Sequence, residues 1–389
     1  MTEDKSNTLI IEGWRFLAHS YAVVNQWQLL ALLRRNDVDV KVRDAPYHDR
    51  EWRRQDGLFE VQTEHVLKSL RVAEPGESAD ATLRISFPFD FSPSPSRQTA
   101  IFATSENQVI RKDQMLSLRA YERLQFMAPP SEVKIITPSF WSAEGFYRAG
   151  FARSQVFVVP HGADPSIFRP RPEQRGQIRR ELRISEHDCV FLSVGSMTEN
   201  KGIDLLLKAF AEVCRIIPQS RLILKGMDPL YRSKERLTTM LQALPPGEAQ
   251  RVAERLTYFG RPFPHEQMAR LYQAADIYVS PYRAEGFNLP VLEAAASGLP
   301  VICTGGGATD DFITDDFARK INSQKISTWL NAEEIFGLAP SEEHLRELMI
   351  AVAQDNAWRQ RASDAAVAHV KSKFTWDHAV DALLRSLFG

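Results

Sequence analysis

The sequence has little cysteine and almost no net charge. It contains 3 cysteines among 389 residues, with no C-x-x-C pair, and its formal net charge is −1. Three separated thiols form neither a disulfide framework nor a cysteine-based zinc site, and they suit a reducing compartment. Because the charge is balanced, nothing in the composition indicates a nucleic-acid partner.

The sequence also lacks a long hydrophobic run. No stretch approaches the roughly 18 apolar residues that a membrane-spanning helix needs. The chain opens with the polar residues MTEDKSN, which predict no signal peptide. We therefore expect a cytoplasmic protein, and a peripheral contact with the inner face of the membrane stays open.

Motifs of several common site types are missing. The dinucleotide fingerprint G-x-G-x-x-G does not follow the first predicted strand, where Leu9–Leu17 reads LIIEGWRFL, so a dinucleotide oxidoreductase is disfavoured. The 9 histidines show no metal-ligand spacing, and neither a metal nor another cofactor is expected. His161 is interpreted as part of a hinge, and His265 as a surface residue near a helix start.

What the sequence does contain is an alternation of strand-like and helix-like segments from end to end. This alternation predicts an α/β fold with largely parallel sheets, and the length suggests more than one domain. The segment Val159–Pro172 holds four prolines and a glycine, which is typical of an inter-domain hinge. Predicted strands include Thr8–Glu12 before this hinge and Cys189–Val194 after it.

Ligands of open α/β sheets bind beyond the carboxyl ends of the parallel strands. One segment at such a place combines several features that suit ligand binding. Glu285–Glu293 reads EGFNLPVLE, in which Pro290 suits a helix start and Gly286 permits close approach of a ligand. The free N–H groups of such a start suit a diphosphate. Glu293 is a lone carboxylate in an apolar helix, so it either binds sugar hydroxyls or is a first-turn residue stabilised by the helix dipole. Taken alone, Glu285 resembles an ordinary exposed loop acid.

Two lysines also lie at or just after the carboxyl ends of predicted strands. Lys201 lies in Gly195–Gly202, a turn between a strand and a helix, but this is a weak phosphate-binding pattern, and taken alone it favours an ordinary loop lysine. Lys225 closes an apolar strand, and its ammonium group either extends to solvent or points into a cleft.

Together these segments resemble the GT-B glycosyltransferases, and most closely the retaining group called family 4. The specific part is Leu271–Gly306, whose two glutamates have the E-x7-E spacing of that group. Val159–Pro170 is similar to the group's hinge, Val190–Phe210 to its donor-side loop and helix, and Phe374–Phe388 to its terminal helix. The resemblance covers about residues 156–389 well and residues 1–155 only loosely.

The resemblance implies two Rossmann-like domains that face each other across a cleft, with a C-terminal helix crossing back. Residues 1–165, with the crossover helix 375–389, would form the acceptor side, and residues 166–374 the donor-binding domain. It also implies transfer of a hexose-type sugar from a nucleotide sugar to a glycan or lipid-linked acceptor, as in polysaccharide biosynthesis, with retention of anomeric configuration. The alternative is a degenerate GT-B protein that acts as a non-catalytic binding partner. The donor, the acceptor and the oligomeric state stay open.

Roles follow for the matching positions. Lys201 would bind the donor diphosphate, Glu285 would hold the donor sugar, and these two are the predicted catalytic residues. Glu293 would accept hydrogen bonds from the ribose, and Arg261 would lie beside the nucleobase. The whole predicted donor-binding set is Gly13, Ser196, Lys201, Lys225, Arg261, Glu285, Gly286, Phe287, Asn288, Leu289 and Glu293, and the predicted acceptor-side residues are Arg15, His19 and Glu106.

The chain departs from the family pattern at two places. Ser196 stands where the family commonly has an arginine, so one cation for the diphosphate is missing, and Lys225 or Arg15 is expected to replace it. The family's histidine after a middle strand of the first domain is also absent. Glu106 or His19 is the expected substitute.

Overall fold

The computed structural model describes residues 6–126 and 129–389, which form two compact units. The first unit comprises Met1–Gly162, Trp329–Ile335 and Trp376–Gly389, and the second comprises Ala163–Thr328 and Phe336–Thr375. The first five residues, for which a polar start without a signal peptide is predicted, lie outside the described part of the chain.

The first unit is built on a parallel sheet of six strands in the order β2-β1-β3-β4-β5-β6. The strands are β1 (Asn7–Gly13), β2 (Val38–Asp44), β3 (Ala81–Ile85), β4 (Gln98–Phe102), β5 (Val133–Thr137) and β6 (Val156–Val158). The helices between them are α1 (Ser20–Leu32), α2 (Val61–Lys68), α3 (Leu118–Phe126) and α4 (Phe140–Arg148). Because β2 and β3 lie on opposite sides of β1, the direction of the strand order reverses between β1 and β3.

The second unit has another parallel six-stranded sheet, in the order β12-β11-β10-β7-β8-β9. Its strands are β7 (Cys189–Val194), β8 (Ser220–Lys225), β9 (Leu256–Phe259), β10 (Ile277–Ser280), β11 (Val301–Thr304) and β12 (Ala318–Ile321). Its helices are α5 (Pro172–Glu181), α6 (Ile203–Ile216), α7 (Asp228–Tyr231), α8 (Ser233–Gln242), α9 (Pro246–Arg255), α10 (His265–Ala274), α11 (Leu289–Ala296), α12 (Glu342–Gln354) and α13 (Asn356–Lys373). Here the strand order reverses between β7 and β10.

The central strands of the second sheet show the burial that is typical of a parallel sheet. Every residue of β10 and of β11 is buried, as expected for strands that are covered by helices on both faces. The sequence predicts both strands and the parallel α/β class, and the structure confirms them.

The last helix, α14 (Trp376–Phe388), belongs to the first unit and packs against α1. The indole rings of Trp27 and Trp376 are stacked, with centroids 6.3 Å apart and planes inclined by 8°. Arg34 adds a hydrogen bond of 2.6 Å to Asp377. The predicted terminal helix is confirmed, and it begins at Trp376 rather than Phe374.

Two features differ from the sequence-based expectation. The sequence pattern predicts a helix over about Tyr231–Leu244, but α8 begins only at Ser233, because Arg232 has a left-handed φ of 49° and separates α8 from the short α7. A hairpin of β13 (Ser323–Leu330) and β14 (Glu333–Pro340) was not predicted. Seven of the eight residues of β13 are exposed, so the strand carries no apolar alternation. Within the described residues, no helix is long and apolar enough to cross a membrane.

Candidate functional site

The reversal point of the second sheet brings two loops together. One follows β7 and contains Lys201, and the other follows β10 and contains Glu285. The Lys201 Nζ atom donates a hydrogen bond of 2.5 Å to Glu285 Oε1. Asn200 joins the same loops, because its carbonyl oxygen accepts from Arg283 N at 2.7 Å and its side-chain amide donates to Ala284 O at 3.1 Å. The crevice at such a reversal point is the usual ligand site of an open α/β sheet.

Glycine is required at one position of the β7–α6 loop. Gly202 has a φ of 66°, and a Cβ atom there would lie 1.9 Å from the carbonyl oxygen of Pro281. The two loops can therefore approach only because residue 202 has no side chain. Gly195, at the start of the loop, lies under the aliphatic stem of Lys201, whose Cδ would be 3.3 Å from an added Cβ.

Glu285 is buried, with 5% of its surface exposed, so it is not the exposed loop acid that its position alone suggests. Its ion pair with Lys201 offsets the cost of burying the carboxylate. Ser196 shares a hydrogen bond of 2.7 Å with the Thr198 hydroxyl group, in the same loop as Lys201. A buried acid, a lysine and two hydroxyls thus lie on the two loops that meet at the reversal point.

Helix α11 begins at Leu289, one residue after the segment Glu285-Gly286-Phe287. The residue before it, Asn288, has a left-handed φ of 75°, and its amide group donates to Ser280 Oγ at 2.9 Å instead of capping the helix. Pro290 is the second residue of α11 rather than the first. The N–H groups at this end therefore receive no cap from the Asn288 side chain, and such a helix end favours an anion.

Glu293 lies in the second turn of α11. This position excludes the interpretation as a first-turn residue stabilised by the helix dipole, because that effect fades beyond the first turn. The hydroxyl group of Tyr272 donates a hydrogen bond of 2.8 Å to Glu293 Oε2. Burial raises the pKa of Glu293 to about 7. Tyr272 was missed by sequence reasoning, although a tyrosine in the apolar segment before an unexplained glutamate is a usable signal.

Lys225 is the last residue of β8 and is buried, with 3% of its surface exposed, so its ammonium group does not extend to solvent. The Nζ atom donates to the carbonyl oxygen of Gly226 at 2.5 Å and lies 5.2 Å from the ring centroid of Phe263. Burial lowers the pKa of Lys225 to about 8. Arg261 contacts the same ring, with its guanidinium carbon 5.3 Å from the centroid. No sequence pattern singles out Phe263.

The other predicted donor and acceptor residues lie in the first unit. Arg15 forms a two-pronged ion pair with Asp44, at 2.7 and 2.8 Å, and donates to the carbonyl oxygen of Leu67 at 2.5 Å. Its charge is thus compensated within its own unit. A Cβ atom at Gly13 would lie 2.5 Å from Ile85, so packing alone explains this glycine. Its role toward the donor stays a prediction.

The predicted substitutes for the missing histidine differ in their surroundings. His19 caps α1, because its Nδ1 atom accepts a hydrogen bond of 3.2 Å from Tyr21 N. Burial and the nearby His48 lower the pKa of His19 to about 4. The backbone carbonyl of Glu106 accepts a hydrogen bond of 2.7 Å from the Trp141 indole, which fixes the loop after β4. Their functional roles stay predictions.

Two histidines outside these loops are buried. His265 was expected at the surface, and this prediction is wrong, because only 8% of the residue is exposed and its ring contacts Phe168. His161 packs between Phe102 and Trp376, and burial lowers its pKa to about 3. In the described ranges, no group of three or more His, Cys, Asp or Glu residues could hold a metal ion.

Comparison with known proteins finds a family match within the second unit and relatives over part of the chain. Residues 188–327 match the family described as "Glycosyl transferases group 1". The chain is 29% identical over 214 residues to a D-inositol 3-phosphate glycosyltransferase of Corynebacterium aurimucosum. This match covers 54% of the chain and 49% of the relative. It is 26% identical over 251 residues to a lipopolysaccharide 1,2-N-acetylglucosaminetransferase of Salmonella typhimurium, covering 64% of the chain and 60% of the relative. The first of these matches spans only about half of the relative's length.

Solved structures resemble the whole chain. The Anabaena protein Alr3699/HepE, in complex with UDP and glucose, has a TM-score of 0.68 at 14% identity, with 98% of this chain and 99% of that chain covered. Sucrose-phosphate synthase from Thermosynechococcus elongatus has a TM-score of 0.67 at 20% identity, with 98% and 99% covered. Likeness at this level of identity concerns the fold. The chain has two parallel-sheet, Rossmann-like domains, which is the GT-B fold of its structural neighbours, and its residues 188–327 match the family described as "Glycosyl transferases group 1".

Proposed function

We propose that the chain is a glycosyltransferase that transfers a hexose-type sugar from a nucleotide-sugar donor to a glycan or glycolipid acceptor. The observation that carries the proposal is the Lys201–Glu285 pair at the reversal point of the second sheet, next to the start of α11. The relatives named as glycosyltransferases support the same conclusion.

The start of α11 and Lys201 are the proposed diphosphate site. Main-chain N–H groups at a helix start and a lysine ammonium group together suit the two negative groups of a nucleoside diphosphate. We assign the backbone of Gly286–Leu289 and the hydroxyl of Ser196 to the same site, because they lie on the two joined loops. As the sugar–phosphate bond breaks, negative charge grows on the leaving diphosphate, and these groups stabilise it.

Lys225 is the proposed replacement for the arginine that Ser196 displaces. Arg15 is the weaker candidate, because its guanidinium group already pairs with Asp44. The ammonium group of Lys225 is bound to a carbonyl oxygen and lies at the carboxyl end of β8, which pairs with β7 just before the Gly195 turn. A buried lysine whose hydrogen-bond partner is a neutral carbonyl gains stabilisation when an anion binds beside it.

The two glutamates have separate proposed roles. Glu285, held by Lys201, accepts hydrogen bonds from donor-sugar hydroxyls. Glu293 accepts from the ribose through the carboxylate oxygen that Tyr272 does not occupy. Arg261 is the proposed neighbour of the nucleobase, because it lies after β9 and contacts the Phe263 ring.

Retention of anomeric configuration is the proposed stereochemical course. The bond from the anomeric carbon to the diphosphate oxygen breaks, and the acceptor oxygen bonds to that carbon on the same face. The proton of the acceptor hydroxyl passes to the departing phosphate oxygen. Positioning and charge stabilisation are then the main contributions of the protein. This course is consistent with a site that is rich in lysines and backbone N–H groups.

A thermal-shift series with UDP, GDP, ADP and dTDP tests the proposed function. A ligand that binds only the folded protein raises its stability by RT ln(1 + [L]/Kd), so the preferred nucleotide should stand out. The Lys201→Met variant should lose the shift, and Lys208→Met, which changes an exposed lysine of the same unit, should keep it.

Turnover then separates enzyme from binding partner. The preferred nucleotide sugar is incubated with and without acceptor, and the product's anomeric configuration is read by NMR. Transfer or slow hydrolysis of the donor supports the proposal, and an inverted product contradicts retention. Nucleotide binding without any turnover, hydrolysis included, would instead indicate a degenerate, non-catalytic GT-B protein.

A further inference from the structure

The reversal point of the first sheet is surrounded by aromatic rings. His19 follows β1, His48 and Trp52 follow β2, and Phe87 follows β3. We call these four side chains the aromatic platform. His48 is exposed and the other three are half-buried, so the platform is accessible to solvent. The ring centroids of His19 and Trp52 are 5.2 Å apart, as are those of His48 and Phe87.

A fully buried tryptophan supports the platform from below. Trp14 makes edge contacts with His19, at 5.2 Å between centroids, and with Trp52, at 5.5 Å. Its indole N–H group donates to the carbonyl oxygen of Pro46 at 2.9 Å, which ties the loop after β1 to the loop after β2. The platform rings are therefore held on a packed base rather than on two independent loops.

Buried amides of α1 fix the loop after β1. The Asn25 side chain donates to the carbonyl oxygen of Trp14 at 2.9 Å, and the Gln26 side chain accepts from the N–H group of Phe16 at 2.8 Å. The hydroxyl group of Tyr47 donates to the carbonyl oxygen of Arg15 at 2.7 Å. A site fixed in this way loses little conformational entropy when a ligand binds.

The electrostatics at this reversal point differ from those in the second unit. Arg15 is paired with Asp44, and Arg54 donates to Asp56 at 3.0 Å. His19 is neutral at pH 7, since burial and the nearby His48 lower its pKa to about 4. Compensated arginines and a neutral imidazole suit an uncharged ligand better than a diphosphate.

We propose that the aromatic platform binds a sugar ring of the acceptor by stacking against the apolar C–H face of that ring. An aromatic ring carries a negative face, which attracts weakly positive C–H groups, and stacked contacts of aromatic rings typically contribute about 0.5–1.5 kcal/mol in proteins. Imidazole groups at the edge exchange hydrogen bonds with sugar hydroxyls. A few polar groups around an aromatic surface are typical of small-molecule sites. The inference rests on the proposed glycosyl transfer and assigns the chemical class of its acceptor.

Saturation-transfer NMR on the full chain tests the platform directly. The probes are methyl α-D-glucopyranoside and methyl α-D-mannopyranoside, and acyclic glucitol serves as the ligand control because it has hydroxyls but no ring face. The wild-type protein should transfer saturation to the C–H protons of at least one glycoside and far less to glucitol. Trp52→Ala should weaken glycoside binding by roughly tenfold, which is about 1.4 kcal/mol. Trp52→Phe should restore most of it, because an aromatic face is kept.

Further variants keep the result decisive. Trp329→Ala removes an exposed tryptophan of the β13–β14 hairpin and should bind the glycosides as the wild type does. If Trp52→Ala does not fold, as judged by its thermal transition, His48→Ala and Phe87→Ala decide, because His48 is exposed and Phe87 half-buried. Unchanged glycoside binding in the folded variants overturns the inference. Absence of ring-selective binding in the wild type does so too.

The nucleotide experiments separate failure of this inference from failure of the proposed function. Thermal shifts with UDP and GDP report on the second unit and should be the same in Trp52→Ala and the wild type. A wild-type protein that neither binds a nucleotide nor hydrolyses a nucleotide sugar refutes the proposed function. Intact nucleotide binding and donor hydrolysis, with glycoside binding indifferent to Trp52, refutes only the platform.

Discussion

Removal of the buried charge of Lys225 should stabilise the protein and weaken nucleotide binding at the same time. Burial lowers the pKa of this lysine from 10.5 to about 8. At about 1.4 kcal/mol for each pH unit between these values, the charged form costs roughly 3 kcal/mol of folding free energy at neutral pH. This figure applies to a side chain that is almost fully buried, with 3% of the residue exposed.

The pH dependence of this cost has a definite sign. Below pH 8 the lysine is protonated in the folded and the unfolded chain, and the whole cost is present. Between pH 8 and 10.5 the unfolded chain binds more protons than the folded one, so stability rises with pH. Lys225→Met should therefore raise the free energy of unfolding by up to about 3 kcal/mol at pH 7, and the gain should disappear by about pH 10.5. Urea denaturation at several pH values measures it.

Nucleotide binding should move in the opposite direction. A hydrogen bond from an ammonium group to a phosphate contributes about 1.5–3 kcal/mol, so Lys225→Met should bind the preferred nucleoside diphosphate roughly 10–150 times more weakly. The wild-type affinity should also fall above about pH 8, where the lysine loses its proton, and the variant should lack this additional fall. Isothermal titration calorimetry at pH values on both sides of the pKa measures the affinity of the wild type and of Lys225→Met. Lys208→Met is the matched control.

Either of two results would refute this reasoning. If Lys225→Met loses stability at pH 7, the lysine supports the fold. If the variant binds the diphosphate as tightly as the wild type, with the same pH profile, the cation that replaces the family's arginine lies elsewhere. A gain in stability combined with a loss of affinity is the signature of a residue retained for function.

Three further substitutions test the second unit. Lys201→Met removes the ammonium group that pairs with Glu285, and we expect loss of nucleotide binding by more than tenfold and of about 1–3 kcal/mol of stability, measured by calorimetry and urea denaturation. Glu293→Gln should stabilise the fold by up to about 3 kcal/mol above pH 7, because the pKa of Glu293 in the folded chain, about 7, exceeds the ordinary value of 4.5. The advantage should vanish toward pH 4.5, and the same dependence of unfolding free energy on pH in both proteins would contradict it. Asp276→Asn should cost about 3–5 kcal/mol in thermal or urea unfolding, because Asp276 pairs with Arg175 and with the buried Arg179; a loss below about 1 kcal/mol would contradict this.

The sheets and the loops that follow their strands could be predicted because their signals are local. Apolar runs such as Cys189–Val194 are long enough to mark buried strands, and the glycines of Gly195–Gly202 mark the turn that follows. Gly202 illustrates the physical reason, since its left-handed φ and the nearby Pro281 carbonyl leave no room for a side chain. A turn that needs glycine can be recognised from sequence even before its partner is known.

Long-range partners could not be predicted, because no local pattern encodes them. The pairing of Arg15 with Asp44 joins the loop after one strand to the end of the next, and it removes Arg15 as a free cation. The hydrogen bond from Tyr272 to Glu293 likewise depends on how α10 and α11 pack. Residue type suggested a charge in each case, but only the fold determines whether that charge is already compensated.

The same argument distinguishes the two reversal points. Parallel sheets with reversed strand order create a ligand crevice whatever the sequence, so topology alone assigns no chemistry. In the second unit, Glu285 pairs with Lys201, but the ammonium group of Lys225 is hydrogen-bonded to a neutral carbonyl oxygen, so its positive charge remains for an anion. In the first unit, Asp44 compensates Arg15, and partly exposed aromatic side chains such as Trp52 lie at the crevice. These differences support the proposed anionic donor in the second unit and the proposed neutral sugar acceptor in the first, because the reverse assignment would place a diphosphate beside an arginine whose charge Asp44 already compensates.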